Sequence, residues 1–166
     1  QGPLGNLIGG GWNTRGIGCF CEHCTRRARE RGIDVERAKI AYRELSEYFA
    51  AARRGERPRD GYFVTFWRLL LEYPEILAWE RFWTDGLYGM YGEIYGLAKA
   101  INPEILVGWH IMHLNSFSPF YRAEQDYARL AEVSDFIKVV TYHNCAGGRF
   151  QRFVRSLHES VFRDAA

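Results

Sequence analysis

The sequence predicts an α/β fold, part of a (β/α) TIM-type barrel with parallel strands and flanking helices. Three observations predict it. Two apolar runs, residues 105–112 and 135–142, have the length and composition of buried strands. Helix-period segments separate and follow them, at about thirty residues per unit, the rhythm of parallel α/β architecture. Each run ends in a polar and aromatic cluster, Trp109-His110-Ile111-Met112-His113-Leu114-Asn115 and Tyr142-His143-Asn144-Cys145. Groups just past strand ends are where α/β barrels place substrates.

The elements are expected in the following order. Residues 1–18 are glycine-rich and read as a loop, and residues 1–32 as one glycine- and cysteine-rich loop region. A short helix over 24–31 ends at Gly32. Asp34 is a candidate N-cap for a helix whose apolar stripe is Ala38, Ala41, Tyr42, Leu45, Tyr48 and Phe49, fading near Arg53-Arg54-Gly55. A polar loop over 55–61 leads to a helix over 63–72, broken by Pro74. Residues 75–101 carry the longest helical pattern. Gly86, Gly89, Gly92 and Gly96 recur inside it at helical spacing, each costing about 1 kcal/mol relative to alanine. They predict a smooth stripe where another backbone comes close. A helix over 122–133 and a final helix over 150–162 complete the pattern.

A chain of 166 residues is one domain's worth, whereas a whole barrel needs about 250. Residues 1–166 are therefore expected to be a single partial barrel segment. The opening Gly2-Pro3-Leu4-Gly5, with no Met before it, reads as a tag scar or as the start of a fragment or processed chain. The strand edges of a partial barrel call for remaining chain segments or a homo-oligomeric partner to cover them.

The formal net charge of +2 makes no demand for nucleic acid, and the basic run Arg26-Arg27-Ala28-Arg29 reads as a solvated helix face. No apolar stretch approaches the ~20 residues of a membrane span. The cysteines cluster rather than spread, which fits metal binding or reduced cytosolic thiols better than a disulfide scaffold. Aromatic residues make up 16% of the chain, and both a large core and a sugar site use them.

The sharpest motif is Gly18-Cys19-Phe20-Cys21-Glu22-His23-Cys24. Thiolates at Cys-x-Cys-x-x-Cys spacing can converge on one zinc ion, with a fourth ligand from Cys145, His23 or a residue upstream. A Cys21–Cys24 redox pair and three loop thiols without metal are the rival readings. Trp109, His110, His113, Asn115, Tyr142, His143 and Asn144 are the candidate substrate-binding set, with His110 equally able to face a core. Glycosidic cleavage needs two carboxylates across the scissile bond. Neither strand end presents one. Glu80, Asp85 and Glu93 fall in the long helix and read as solvated or packing groups; Glu124 and Asp126 read as helix-start charges.

The cysteine loop resembles that of family 42 β-galactosidases and related glycoside hydrolases. Leu77-Ala78-Trp79-Glu80-Arg81-Phe82-Trp83 resembles the helix start that follows it in those proteins. The resemblance implies consecutive barrel strands ending at His110 and Tyr142. It implies zinc ligands at Cys19, Cys21 and Cys24, with the fourth from an earlier segment. The family's acid/base glutamate follows an asparagine shortly before the loop, and no Asn-Glu pair stands between Gln1 and Cys19. The nucleophile is expected beyond Ala166. The function expected is acid/base cleavage of a carbohydrate with catalytic carboxylates outside this chain. The alternatives are a non-catalytic sugar-binding or pseudo-enzyme domain, and a metal-dependent hydrolase using His110, His113 and His143.

Overall fold

The computed structural model describes residues 3–8, 19–111 and 119–140, together with 147, 148, 150, 151, 154, 155 and 162–165. It is mostly helical. In chain order it holds α1 (Pro3–Ile8), α2 (Glu22–Glu30), α3 (Val35–Arg53), α4 (Tyr62–Glu72), α5 (Glu75–Ile101), β1 (Gly108–Ile111), α6 (Pro119–Glu124), α7 (Tyr127–Ala131) and β2 (Phe136–Val139).

Local chemistry sets most boundaries. Gly32 ends α2 with φ +76°, a conformation that costs glycine little. Its N–H donates to Arg29 O and the next N–H, of Ile33, to Ala28 O, so two orphan carbonyls are satisfied. Gly55 closes α3 in the same way, with Gly55 N–H on Ala52 O and Glu56 N–H on Ala51 O. The Asp34 carboxylate caps α3 by accepting from the N–H groups of Glu36 and Arg37 at 3.1 and 3.0 Å. Asp34→Ala should therefore lower the unfolding free energy by about 1 kcal/mol in urea denaturation, while Asp34→Asn keeps most of it. At α4 the cap comes from far away. Asp164 accepts from the N–H groups of Tyr62 and Phe63 at 2.7 and 2.9 Å. Burial pushes its carboxyl up, but those two N–H groups, aided by Arg57 and its own backbone N–H, hold it below its ordinary value.

The main core is made by helices. Ala38, Ala41, Tyr42, Leu45, Phe49 and Ala52 form the inward stripe of α3, against Phe66 and Leu70 of α4 and Ile76 and Trp79 of α5. Small alanines on α3 allow these helices to approach, and the large rings fill the space beside them. A second cluster lies at the far half of α5, where Tyr88 meets Ile111, Leu130, Trp109 and Ile137. There β1 and β2 pair in parallel, Gly108 opposite Phe136 and Ile111 opposite Val139. The alternation of strand side chains turns Trp109 and Ile111 toward α5 and α7. Asp135 ties the strands to α5: its carboxylate accepts from Val107 N–H and pairs with Lys99 at 2.8 Å. The Lys99 ammonium, first among its partners, holds the Asp135 carboxyl below its usual range.

This arrangement corrects the expected TIM-type barrel. The described residues form one sheet of two strands, with four residues in each, and no strand stands between Glu22 and Ile101. In that span α3, α4 and the first half of α5 bury apolar residues on one another rather than on a sheet face, while the expected α5 stripe at Met90, Ile94, Leu97 and Ile101 is exposed. Among the described residues the β–α–β rhythm is present once, between β1 and β2. Several finer expectations change as well. The opening segment contains α1, where a loop over residues 1–18 is predicted. The helix predicted over 122–133 is two short helices, because Asp126 caps α7 by accepting from Ala128 N–H at 2.9 Å. The predicted glycine stripe is not met by another backbone among the described residues. A Cβ at Gly86, Gly89 or Gly96 would touch nothing, and one at Gly92 would reach only Val133. The predicted helix over 150–162 lies largely outside the described residues.

Candidate metal centre and a buried carboxyl pair

Cys19, Phe20 and Cys21 lead into α2 with Cys21 extended, at φ −66° and ψ 165°. The middle side chain points the opposite way from its two neighbours, as in any extended segment. Phe20 stacks on Trp79 with ring centroids 4.3 Å apart and meets Tyr42 edge-on, so it anchors the loop to the core. The flanking thiols are left outside: Cys19 and Cys21 are exposed, and Cys24 is half-buried. Cys21 is the N-cap of α2 and Cys24 the third residue of its first turn, which brings their sulfurs to the same end of the helix.

The three sulfurs all lie within 4.8 Å of one another. Zinc bonds of about 2.3 Å hold tetrahedral sulfurs about 3.8 Å apart, so small side-chain rotations bring these three to ligating distance. Three close thiols here can hold a metal ion. Their ionisation is uneven. The Cys24 N–H, aided by the neighbouring thiols, brings Cys21 down to about 7. Burial first, and then the other two thiols, push Cys24 up to about 12. A thiolate is the metal-binding form, and Cys21 is the sulfur that the start of α2 prepares for it. His23, one predicted source of a fourth ligand, is exposed, lies outside the converging group and faces Arg26 at 3.4 Å. Cys145, the other predicted source within the chain, lies outside the described residues.

The predicted substrate set is not brought together among the described residues. Trp109 is half-buried against Tyr91, with centroids 4.3 Å apart, and its indole N–H donates to Val133 O at 2.8 Å. Its face and its polar edge are both used inside the fold. His110 is exposed on the other side of β1, opposite Lys138. His113, Asn115, Tyr142, His143 and Asn144 lie outside the described residues.

A site that the sequence reading passed over joins α5 and α6. Glu80 accepts from Leu4 N–H at 3.0 Å and from the Tyr42 hydroxyl at 3.3 Å, both through Oε2. Its other oxygen, Oε1, is buried with no donor among the described residues. The Glu124 carboxyl lies in hydrogen-bonding contact with the Glu80 side chain. Burial raises Glu80 to about 7, with Glu124 adding to the rise and the Leu4 N–H and Tyr42 hydroxyl opposing it. The pair borders a cavity of about 270 Å³, lined also by Leu77, Thr84, Phe120 and Arg129. Glu124 is 9% exposed and stands at the last position of α6, not at a helix start. One signal could have found Glu80. Ile76, Glu80, Thr84 and Tyr88 form a single i+4 row, and its other three members are apolar, small or aromatic residues that turn out buried. A carboxylate in such a row faces the interior.

Compared with known proteins, the chain matches no family model, no curated protein and no solved structure.

Proposed function

We propose that the chain holds a structural zinc ion through Cys19, Cys21 and Cys24. The convergence of three free thiols within 4.8 Å, on a loop anchored by Phe20, is the observation that carries this reading. Zinc suits it because soft thiolates at tetrahedral reach are its preferred structural ligands. Bound there, the ion links the loop before α2 to the first turn of that helix and secures Phe20 on Trp79. The test is metal content of the full chain, reduced, stripped with a chelator and reloaded. One zinc per chain, retained through desalting and protecting the three thiols from alkylation, is the expected result. A chain that returns from reloading without metal, its three thiols alkylating at the rate of free cysteine, removes the proposal.

A second reading, hydrolysis of a carbohydrate by acid/base chemistry, is favoured by one feature, the Glu80–Glu124 pair beside a cavity. Glycosidase carboxyls stand about 5–9.5 Å apart, to admit the bond or a water between them. These two are in contact, so substrate entry must part them. Turnover of chromogenic glycosides by the full chain, lost in Glu124→Gln, is the expected outcome of this reading. Absence of turnover across a panel of sugars ends it.

A further inference from the structure

We propose that the cysteine loop is a peroxide-sensitive switch, in which oxidation joins Cys21 to Cys24 in a disulfide, takes two of the three sulfurs from the zinc ion and releases it. The inference rests on the zinc reading above and adds a regulated state to it.

The site is open where a purely structural zinc site is closed. Such sites surround the ion with four protein ligands. Among the described residues three sulfurs converge, within 4.8 Å of one another, and two of them, those of Cys19 and Cys21, are exposed. Metal takes the thiolate form of cysteine, which is also its nucleophilic form. A thiolate that a dissolved oxidant can reach, with a second sulfur alongside, is the arrangement in which cysteine oxidises reversibly.

The backbone selects the pair. Cys21 is the N-cap of α2, and its carbonyl accepts from Thr25 N–H at 2.9 Å. Cys24 follows three residues later, in the first turn. Helix geometry puts Cα atoms at that separation about 5 Å apart, inside the disulfide range of about 4.4–6.8 Å. Cys19 and Cys21 instead flank Phe20 on an extended segment. Cα atoms two residues apart there stand roughly 6.6 Å apart, and their Cα–Cβ bonds run side by side rather than toward one another. Joining Cys19 to Cys24 would close a longer ring across Phe20. That ring stays seated, stacked on Trp79 at 4.3 Å and edge-on to Tyr42, so the loop keeps its place while Cys21 bonds to Cys24.

The chemistry balances with a hydroperoxide as oxidant. The exposed Cys21 thiolate attacks the outer peroxide oxygen, the O–O bond breaks, and the departing alkoxide takes a proton from water. The half-buried Cys24 thiolate then attacks the sulfenic acid on Cys21. The S–S bond forms, and hydroxide leaves and takes a second proton. The two sulfurs together lose two electrons, and these reduce the peroxide to one alcohol and one water. Cys19 alone is left as a ligand, and a single thiolate does not hold zinc against water. A dithiol reductant returns both sulfurs to the ion.

The test treats the zinc-loaded full chain with a small excess of hydrogen peroxide. A chromogenic chelator reads released zinc, and mass spectrometry after alkylation maps the sulfurs. The expected result is loss of all the bound zinc, one ion per disulfide formed, with Cys21 joined to Cys24 and Cys19 alkylated as a free thiol. Dithiothreitol should restore three thiols and zinc uptake. The metal-free Cys19→Ser chain should still close the Cys21–Cys24 bond. Metal-free Cys24→Ser should stop at the sulfenic acid of Cys21, captured by dimedone. A chain that takes up no zinc on loading fails the zinc reading itself, and the switch with it. A chain that loads zinc and keeps it under peroxide, or whose disulfide includes Cys19 or Cys145, overturns the switch alone.

Discussion

Trp79→Ala lowers the free energy of unfolding by about 3–5 kcal/mol, the usual cost of deleting a large buried ring. Trp79 is 1% exposed and sits where three parts of the chain meet. Phe20 stacks on it at 4.3 Å, Phe82 packs at 5.4 Å, and the α3 stripe closes around it. The cavity left behind cannot collapse easily, because its walls are helices tied by their own hydrogen bonds. Urea denaturation followed by circular dichroism measures the loss. Trp79→Phe keeps part of the stacking and should cost roughly half as much. The substitution also removes the platform on which Phe20 holds the cysteine loop, so it should weaken metal retention without altering any thiol. A stability loss within 1 kcal/mol of zero would show that the core is not centred on this ring.

Cys24→Ser has the second large effect, on metal affinity. Of the three thiols, Cys24 is the one within α2, and it is more buried than Cys19 and Cys21. Its sulfur is the ligand that ties the ion to the helix, whereas the other two belong to the loop and the cap. Loss of an outer-shell partner costs about 10–100-fold in affinity, and loss of a direct thiolate ligand should exceed that range. Competition with a chromogenic chelator reads the affinity of the full chain. Serine keeps the size and helix propensity nearly unchanged, so α2 should persist by circular dichroism. The comparison His23→Ala, at an exposed residue outside the converging group, should leave the affinity within a few-fold of the parent. Equal losses in the two variants would move the metal away from the three sulfurs.

The contrast between Trp79 and Glu80 shows what could be read in advance. Both occupy the long helical pattern recognised at 75–101, and the helix spans those residues. Periodicity assigns a residue to a face, yet it does not say what the face meets. The sequence leaves Glu80 a solvated or packing group, and the structure gives it the buried place, against Leu4, a residue 76 positions away. The sequence places Glu124 at a helix start, whereas it is the last residue of α6. A β–α–β rhythm was legible at 105–142, but it describes one unit and carries no information on how many such units join. A barrel extrapolates that unit across a region in which α3, α4 and the first half of α5 cover one another.

What the sequence by itself determined are features settled within a few residues. Asp34 caps α3, Gly32 and Gly55 end helices, Pro74 separates α4 from α5, and Cys-x-Cys-x-x-Cys gathers thiols at the start of α2. Each depends on backbone angles and hydrogen bonds that neighbours supply. Only the tertiary structure decided that helices rather than a sheet cover α3, that Trp109 is consumed by packing, and that Glu80 and Glu124 meet beneath α1. Those outcomes depend on contacts between distant segments, where burial and desolvation outweigh local preference, and no short window of sequence contains both partners.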